Sequence, residues 1–135
     1  RAYPWTLRMA LAGLGTDLVR TGRFRKFVDE GKSTLLERLF TEGERRYALG
    51  KKYPAPHLAA RFAAKEACLK AFGLGLRAGL SWLDMEVVPD ALGRPDLVLS
   101  GRAAELARER GIDRVHLSYS HDGDYAVATV LLETG

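Results

Sequence analysis

The chain of 135 residues is long enough for one domain with its own core, and its contents of 47% hydrophobic and 28% charged residues are typical of globular proteins. Its one cysteine, Cys68, excludes a disulfide within the chain and a zinc site built from several cysteines. No apolar run is long enough to span a bilayer or to act as a secretory signal, which predicts a cytoplasmic protein. The net charge of +4 favours an anionic partner and leaves nucleic acid, an acidic protein and a phosphorylated small molecule open.

The chain is predicted to be one domain preceded by a short extension. Residues 1–8 have no clear hydrophobic period and precede a methionine, so we expect an N-terminal extension or an expression remnant. Residues 9–135 contain no internal repeat, low-complexity tract or linker, and they mix helical and strand patterns. We therefore predict a single compact α+β domain with an antiparallel sheet packed around a long central helix.

The first predicted element is a strand over residues 10–19 that is apolar on both faces. Gly13 and Gly15 would allow another backbone to come close to it. Asp17, near its end, either caps the following turn or meets a cation. A short amphipathic helix follows, and its start carries a cluster of four basic residues: Arg20, Arg23, Arg25 and Lys26.

Two further helices are bounded by clear signals. Thr41 and Glu44 have the spacing of a capping box, and the helix that they begin should stop at Gly50. After a loop, Pro56 can open the central helix in its first turn, and Gly73 can close it.

The central helix has charged residues at the margins of two faces that both look packed. At about 100° per residue, large apolar side chains lie on one side and alanines cover much of the other. Glu66 and Lys70 lie along one margin, and Arg61 and Lys65 lie along the other. These charges either line polar clefts or simply extend past the buried faces to water.

The C-terminal half is predicted to be mostly strand. The Asp122-Gly123 pair between apolar runs is the clearest hairpin signal in the chain. The predicted elements are, in order, strands over 83–88 and 96–100, a helix over 102–110, and strands over 115–120 and 125–132.

The residues that remain as candidates for chemistry favour phosphoryl transfer. The chain has no phosphate-binding loop of the Gly-x-x-x-x-Gly-Lys type, no His-Glu-x-x-His helix and no Gly-x-Ser-x-Gly elbow. Carboxylates together with water and substrate phosphates usually hold Mg²⁺, and nearby basic residues would neutralise phosphate oxygens. The candidates in apolar or turn contexts are Asp17, Glu66, Arg61, Lys65, Lys70 and His121.

Three segments resemble the signature segments of the holo-acyl-carrier-protein synthase type of 4′-phosphopantetheinyl transferase. They are Gly13-Leu-Gly-Thr-Asp-Leu-Val19, Arg61-Phe-Ala-Ala-Lys-Glu-Ala-x-x-Lys-Ala71 and His116-Leu-Ser-Tyr-Ser-His121. The resemblance covers residues 9–133 in the family's order and spacing, and its second segment is highly specific. It implies the phosphopantetheinyl transferase fold and the transfer of phosphopantetheine from coenzyme A to a serine of apo-acyl carrier protein, in fatty acid or polyketide biosynthesis.

The resemblance also implies roles for individual residues. Asp17 and Glu66 fall on the family's magnesium ligands, and Lys70 falls on the lysine near the pyrophosphate. Glu66 or a metal-bound water would take the proton of the carrier serine. Arg61, Lys65 and His121 map to the neighbourhood of the coenzyme's phosphates.

Partners follow from the same resemblance. Family members of this size are typically homotrimers with coenzyme A in clefts between subunits. Arg23 matches the arginine that contacts the carrier, so the cluster of Arg20, Arg23, Arg25 and Lys26 is expected to dock the acidic carrier protein. Many family members have a glutamate where this chain has Arg20.

Two alternatives belong to other functional classes. A basic nucleic-acid-binding module would display aromatic side chains for base stacking, whereas Phe24, Phe27 and Phe62 have the spacing of a helix core. A non-catalytic carrier-binding protein of the same fold would have lost a metal ligand, and both Asp17 and Glu66 are present.

Overall fold

A computed structural model describes residues 10–135, and the predicted extension over residues 1–8 lies outside this part of the chain. Residues 10–135 form an α+β domain with antiparallel strands, as predicted. The elements in chain order are β1 (Ala10–Arg20), α1 (Thr21–Asp29), α2 (Ser33–Leu39), α3 (Glu42–Leu49), α4 (Pro54–Phe72), β2 (Met85–Pro89), β3 (Pro95–Leu99), α5 (Gly101–Glu109), β4 (Ile112–Asp122) and β5 (Tyr125–Thr134). A 3₁₀ turn at Trp82–Asp84 precedes β2.

The longer strands form one sheet in the order β1-β5-β4, and β2 pairs with β3 in a separate hairpin. Both neighbours of β5 are antiparallel to it, so Val130 lies opposite Gly15 on one side and Leu117 on the other. The turn after Asp122 contains Gly123 at a φ of 58°, a conformation that glycine adopts without strain. The predicted Asp-Gly hairpin is therefore confirmed.

Helix α4 packs across one face of the three-stranded sheet, mainly on β1 and β5. It begins at Pro54 and not at Pro56 as predicted, because proline is tolerated throughout a first turn whose N–H groups have no partner within the helix. It ends at Gly73, as predicted, in the left-handed conformation with a φ of 76°. Neither α4 nor another helix within residues 10–135 has the length and apolar character needed to cross a membrane.

The two glycines of β1 let its backbone touch the backbone of α4. A Cβ atom at Gly13 would overlap the carbonyl oxygen of Ala71, and one at Gly15 would overlap that of Ala67. Strand and helix therefore meet without a side chain of β1 between them at these positions. This contact fixes how close Asp17, two residues after Gly15, comes to α4.

The opposite face of the sheet is open, so the apolar side chains that β1 carries on that face are exposed. Leu11, Leu14 and Leu18 are 61%, 58% and 63% exposed, and Val127 of β5 is 39% exposed. We call these four residues the open sheet face. Exposed apolar surfaces of this kind are common where another molecule binds.

The capping box predicted at the start of α3 is confirmed. The backbone N–H of Glu44 donates to Thr41 Oγ1 at 3.2 Å, and the backbone N–H of Thr41 donates to Glu44 Oε1 at 2.9 Å. The Glu44 side chain is nevertheless completely buried, which a capping role at a helix surface does not require. Its carboxylate must therefore have partners from other elements.

Replacing Gly15 with alanine should destabilise the fold, because the added methyl group forces β1 away from α4. We expect a loss of about 1–3 kcal/mol in the free energy of unfolding, measured by urea denaturation. Gly22→Ala in α1 is the matched control, because no atom lies within 4 Å of the added Cβ. Alanine there should be neutral or stabilising by up to about 1 kcal/mol. Equal stability of the two variants would contradict the close contact.

Candidate active site

Asp17 and Lys70 meet at the edge where β1 passes α4. Lys70 Nζ lies 2.9 Å from Asp17 Oδ1 and donates a second hydrogen bond to the backbone oxygen of Thr16 at 3.2 Å. The Asp17 side chain is 16% exposed and that of Lys70 is 55% exposed. The carboxylate is thus largely shielded, and the ammonium group reaches it from the solvent side. Asp17 therefore pairs with a cation and is not a turn cap.

Glu66 joins this pair from one turn earlier on α4. Burial raises the pKa of Glu66, and the negative charge of Asp17 raises it further, while Lys70 and Arg23 oppose both effects. A carboxylate whose charge raises the pKa of another carboxyl group lies close to it. The structure therefore brings Asp17, Glu66 and Lys70 into one site, and it adds Arg23 from α1.

The donor set at this site fits Mg²⁺. The ion prefers oxygen ligands and usually keeps several waters, so two carboxylates are enough protein ligands. Within residues 10–135, no group of three or more His, Cys, Asp or Glu side chains could hold a metal ion. A metal between Asp17 and Glu66 would therefore take its remaining ligands from water or substrate, and it would offset the repulsion between the two carboxylates.

Arg61 lies in a second cluster, on another flank of α4. It is only 1% exposed, its Nη1 donates to the His57 backbone oxygen at 3.3 Å, and its guanidinium carbon lies 4.3 Å from the centre of the Tyr47 ring. Burial raises the pKa of Tyr119, and the Arg61 charge beside it acts in the opposite direction. Within residues 10–135, Arg61 forms no salt bridge and its Nε has no hydrogen-bond partner.

His121, at the end of β4, belongs to the same cluster. Its ring centre lies 6.4 Å from that of His57, which in turn lies 5.8 Å from that of Tyr47. Lys51 Nζ lies 4.5 Å from the centre of the Tyr47 ring. We call Arg61, His57, His121, Tyr47 and Lys51 the anion cluster, because it gathers positive charge around a buried guanidinium that has no carboxylate partner in the described part of the chain.

Sequence reasoning found two members of the anion cluster and missed three. Arg61 and His121 were predicted, whereas Tyr47, His57 and Lys51 were not. The spacing of His57 and Arg61 is a signal that could have found His57, because residues four positions apart in a helix lie on the same face. No sequence signal places Tyr47 there, since it lies on a different helix.

Lys65 is buried and already paired within the fold, and its predicted place near the phosphates of the coenzyme stays a prediction. Its side chain has no exposed surface, and its Nζ lies 2.6 Å from Oε1 of the equally buried Glu44. Nζ also donates to the backbone oxygen of Trp82 at 3.0 Å. Burial lowers the pKa of Lys65, while Glu44 opposes that effect. Because its ammonium group is enclosed and already paired, we leave Lys65 out of the proposed ligand sites.

The predicted docking residues are exposed near the start of α1, where Arg20, Arg23 and Lys26 line one cavity and Arg25 lines another. Arg23 lies at their junction with the candidate metal site, since its guanidinium carbon is 5.6 Å from the ring centre of Phe62 on α4 and its charge acts on Glu66. Arg20 lies 5.8 Å from the ring centre of Tyr125, at the start of β5. The basic patch consists of Arg20, Arg23, Arg25 and Lys26, all exposed.

His57 should make the stability of the protein depend on pH. Burial lowers its pKa, and the charges of Arg61, Lys51 and His121 lower it further. The unfolded chain, in which histidine titrates near pH 6.5, therefore binds a proton first as the pH falls. The stability contributed by His57 is fully present above about pH 6.5 and is lost as the pH falls through the lower folded-state pKa.

A His57→Gln variant should therefore lose less stability than the wild type when the pH is lowered from about 7 to about 5. Urea denaturation of both proteins at each pH measures this difference. The difference in the free energy of unfolding between wild type and variant should stay constant from about pH 7 to pH 8, where His57 is neutral in the folded and the unfolded state. Parallel acid dependence in the two proteins would contradict the assignment.

Comparison with known proteins gives independent evidence for the family to which the chain belongs. The model of the 4′-phosphopantetheinyl transferase superfamily matches residues 13–130. The holo-[acyl-carrier-protein] synthase of Syntrophotalea carbinolica is 63% identical over 123 residues, which is 91% of this chain and 96% of that protein. The corresponding protein of Geotalea daltonii is 53% identical over 121 residues, covering 90% of this chain and 97% of the relative.

Solved structures agree with these sequence matches. The holo-(acyl-carrier-protein) synthase of Bacillus anthracis in complex with CoA (3′,5′-ADP) superimposes with a TM-score of 0.76 at 38% identity, covering 93% of this chain and 98% of that one. The Helicobacter pylori synthase in complex with coenzyme A has a TM-score of 0.76 at 32% identity and covers 88% and 98%. The chain belongs to the 4′-phosphopantetheinyl transferase superfamily.

Proposed function

We propose that this protein transfers the 4′-phosphopantetheine group from coenzyme A to a serine hydroxyl of an apo-acyl carrier protein and releases adenosine 3′,5′-bisphosphate. The observation that carries the proposal is the convergence of Asp17, Glu66 and Lys70 in one partly exposed site. Family membership and the coenzyme bound to related synthases support the same reaction. We further propose that the reaction takes place in the cytoplasm and supplies fatty acid or polyketide biosynthesis.

Asp17 and Glu66 are the proposed Mg²⁺ ligands. When bound, Mg²⁺ would neutralise charge on the pyrophosphate oxygens of the coenzyme. Lys70, already directed at Asp17 with an exposed ammonium group, can donate hydrogen bonds to the same oxygens as charge builds on them. Asp17 in turn raises the pKa of Lys70, so that this group stays protonated and able to donate.

The anion cluster is the proposed site for a further phosphate of coenzyme A. Arg61 offers a buried guanidinium without a carboxylate partner in the described chain, and His121 lies at its rim. A phosphate there would gain charge-assisted hydrogen bonds in surroundings that are shielded from water. Arg61 and His121 therefore keep their predicted role in this proposal, and Lys51 adds to the positive charge around them.

The two clusters lie on different flanks of α4. Arg61 and Glu66 are five positions apart, which corresponds to about 140° around a helix with about 100° per residue. Asp17 is on the edge strand β1, and His121 is on the opposite edge strand β4, with β5 between them. One coenzyme molecule meets both clusters most directly if each cluster comes from a different copy of the chain.

We therefore propose a homotrimer with active sites between subunits. The open sheet face supplies an apolar surface for such contacts, and burying it removes exposed leucines from water. Light scattering should give about three chains per particle, and Leu14→Lys should dissociate it because it places a charge in the interface. Leu92→Lys, at a leucine that is 78% exposed outside the open sheet face, should remain trimeric. A fully active, monodisperse monomer would refute this assembly.

The metal site is tested by removing one charge at a time. Glu66→Gln and Asp17→Asn should each keep the fold and lower magnesium-supported transfer by at least about 10²-fold, because a charge-stabilising group is lost. The double variant should be little worse than either single one, as expected for groups that act as a unit. Mass spectrometry of an apo-carrier incubated with coenzyme A and Mg²⁺ follows the transfer.

Glu37→Gln, an exposed carboxylate on α2, is the control for a general effect of charge and should keep wild-type turnover. Near-normal, magnesium-dependent turnover in both Asp17→Asn and Glu66→Gln would remove these residues from the mechanism.

The basic patch is the proposed docking surface for the acidic carrier. Arg23→Gln should raise KM for the carrier and weaken its dependence on salt, because charges at the rim of an interface mainly steer the encounter. KM for coenzyme A should change little. Arg108→Gln, an exposed arginine on α5, is the matched control and should leave both constants unchanged. If coenzyme affinity fell while KM for the carrier stayed constant, Arg23 would be assigned to the nucleotide instead.

A further inference from the structure

The buried pair of Lys65 and Glu44 links α4 to three other parts of the fold. Lys65 Nζ contacts Glu44 Oε1 of α3 at 2.6 Å and the Trp82 backbone oxygen of the 3₁₀ turn at 3.0 Å. It also lies 5.5 Å from the centre of the Phe40 ring. Neither charged side chain is exposed, so movement of one partner away from the other would leave an uncompensated buried charge.

Glu44 is itself held in place by backbone groups. Its Oε1 accepts a hydrogen bond from the N–H of Thr41 at 2.9 Å, and its Oε2 accepts one from the N–H of Val87 in β2 at 2.9 Å. The Thr41 hydroxyl donates to Glu86 Oε2 at 2.7 Å, which joins the same corner to β2 a second time. The carboxylate that receives Lys65 is therefore fixed by the start of α3 and by β2.

The opposite side of α4 has a different kind of contact. There the helix backbone meets Gly13 and Gly15 of β1, and no side chain of β1 projects into the helix surface at these positions. No ridge enters a groove at these two positions, so the contact sets the distance between strand and helix. The hydrogen bonds of Lys70 to β1 oppose rotation of α4 there, but that side chain is 55% exposed, whereas Lys65 is fully buried. The hydrogen bonds of Lys65 are directional and resist that rotation.

The site on α4 is sensitive to such a rotation. Side-chain ends lie about 6 Å from a helix axis, so turning α4 by about 10° moves the Glu66 carboxylate by about 1 Å relative to β1. A displacement of about 1 Å in a catalytic constellation can lower a rate by about 10²-fold. Glu66 directly follows Lys65 in the chain, so the two side chains turn together.

We propose that Glu44 and Lys65 are positioning residues that fix the rotation of α4 and thereby hold Glu66 beside Asp17. This inference rests on the proposed metal site at Asp17 and Glu66. Lys65 acts through Glu66 and touches neither the coenzyme nor the carrier.

The test compares metal affinity with stability. Glu44→Gln and Lys65→Met should each lower the melting temperature, because each leaves one charge buried alone. The double variant Glu44→Gln/Lys65→Met should regain part of that loss, because no charge is left buried alone, although the amide nitrogen of glutamine cannot accept a backbone N–H as the second carboxylate oxygen does. It should nevertheless bind Mn²⁺ at least about tenfold more weakly, measured by electron paramagnetic resonance at saturating coenzyme A, because the hydrogen bonds that orient α4 are gone. Its kcat should fall while KM for the carrier stays unchanged.

Two further variants separate positioning from general stability. Leu106→Ala removes a buried side chain of α5 and should lower the melting temperature without changing Mn²⁺ affinity. Glu44→Asp keeps the charge balance, and therefore the fold, but shortens the side chain by one methylene group. It should weaken Mn²⁺ binding in the same direction as the double variant, and it provides the measurement if the double variant does not fold.

Wild-type Mn²⁺ affinity in Glu44→Asp or in the folded double variant would overturn the inference, and so would an equal loss of affinity in Leu106→Ala. Failure of the proposed function gives a different result, because the wild type would then neither modify the carrier nor bind Mn²⁺ with coenzyme A present. Normal transfer by the wild type combined with wild-type Mn²⁺ affinity in the variants removes only the positioning role.

Discussion

The backbone contact between β1 and α4 is the constraint on which the candidate active site depends. Gly13 and Gly15 let the strand lie directly on the helix, so that Asp17 reaches the flank of α4 that carries Glu66 and Lys70. A side chain at either glycine would move β1 away from α4, and it would therefore also move Asp17 away from Glu66. The same contact that closes the core thus brings together charges that would repel each other without a cation.

The two buried cations of α4, Arg61 and Lys65, differ in how their charges are compensated. Lys65 is matched inside the protein by Glu44 and by the Trp82 carbonyl, so its charge is compensated within the fold. Arg61 has aromatic and carbonyl neighbours but no carboxylate partner in the described part of the chain. An anion from outside would compensate a buried guanidinium in this state, which is the physical reason for proposing a phosphate at the anion cluster.

The proposed assembly connects the open sheet face with the separation of the two clusters. A single copy leaves the leucines of β1 exposed and directs the carboxylate site and the anion cluster to different flanks of α4. Contact between copies would cover the exposed leucines. It would also bring the carboxylate site of one chain and the anion cluster of another to one coenzyme molecule. The same step would then create both the interface and the complete site, which is a physical reason for coupling oligomerisation to activity.

The sequence alone determined the fold class, the α3 capping box, the end of α4 and the hairpin after Asp122, because each depends on local chemistry: glycine conformations, caps and hydrophobic periods. It also singled out Asp17 and Glu66, since an acid in an apolar context requires a partner. Only the tertiary structure decided that Lys65 is paired inside while Arg61 is not, and that one face of β1 is open. Helical periodicity gives the direction of a side chain but not its neighbour, and Glu44 reaches Lys65 from another helix.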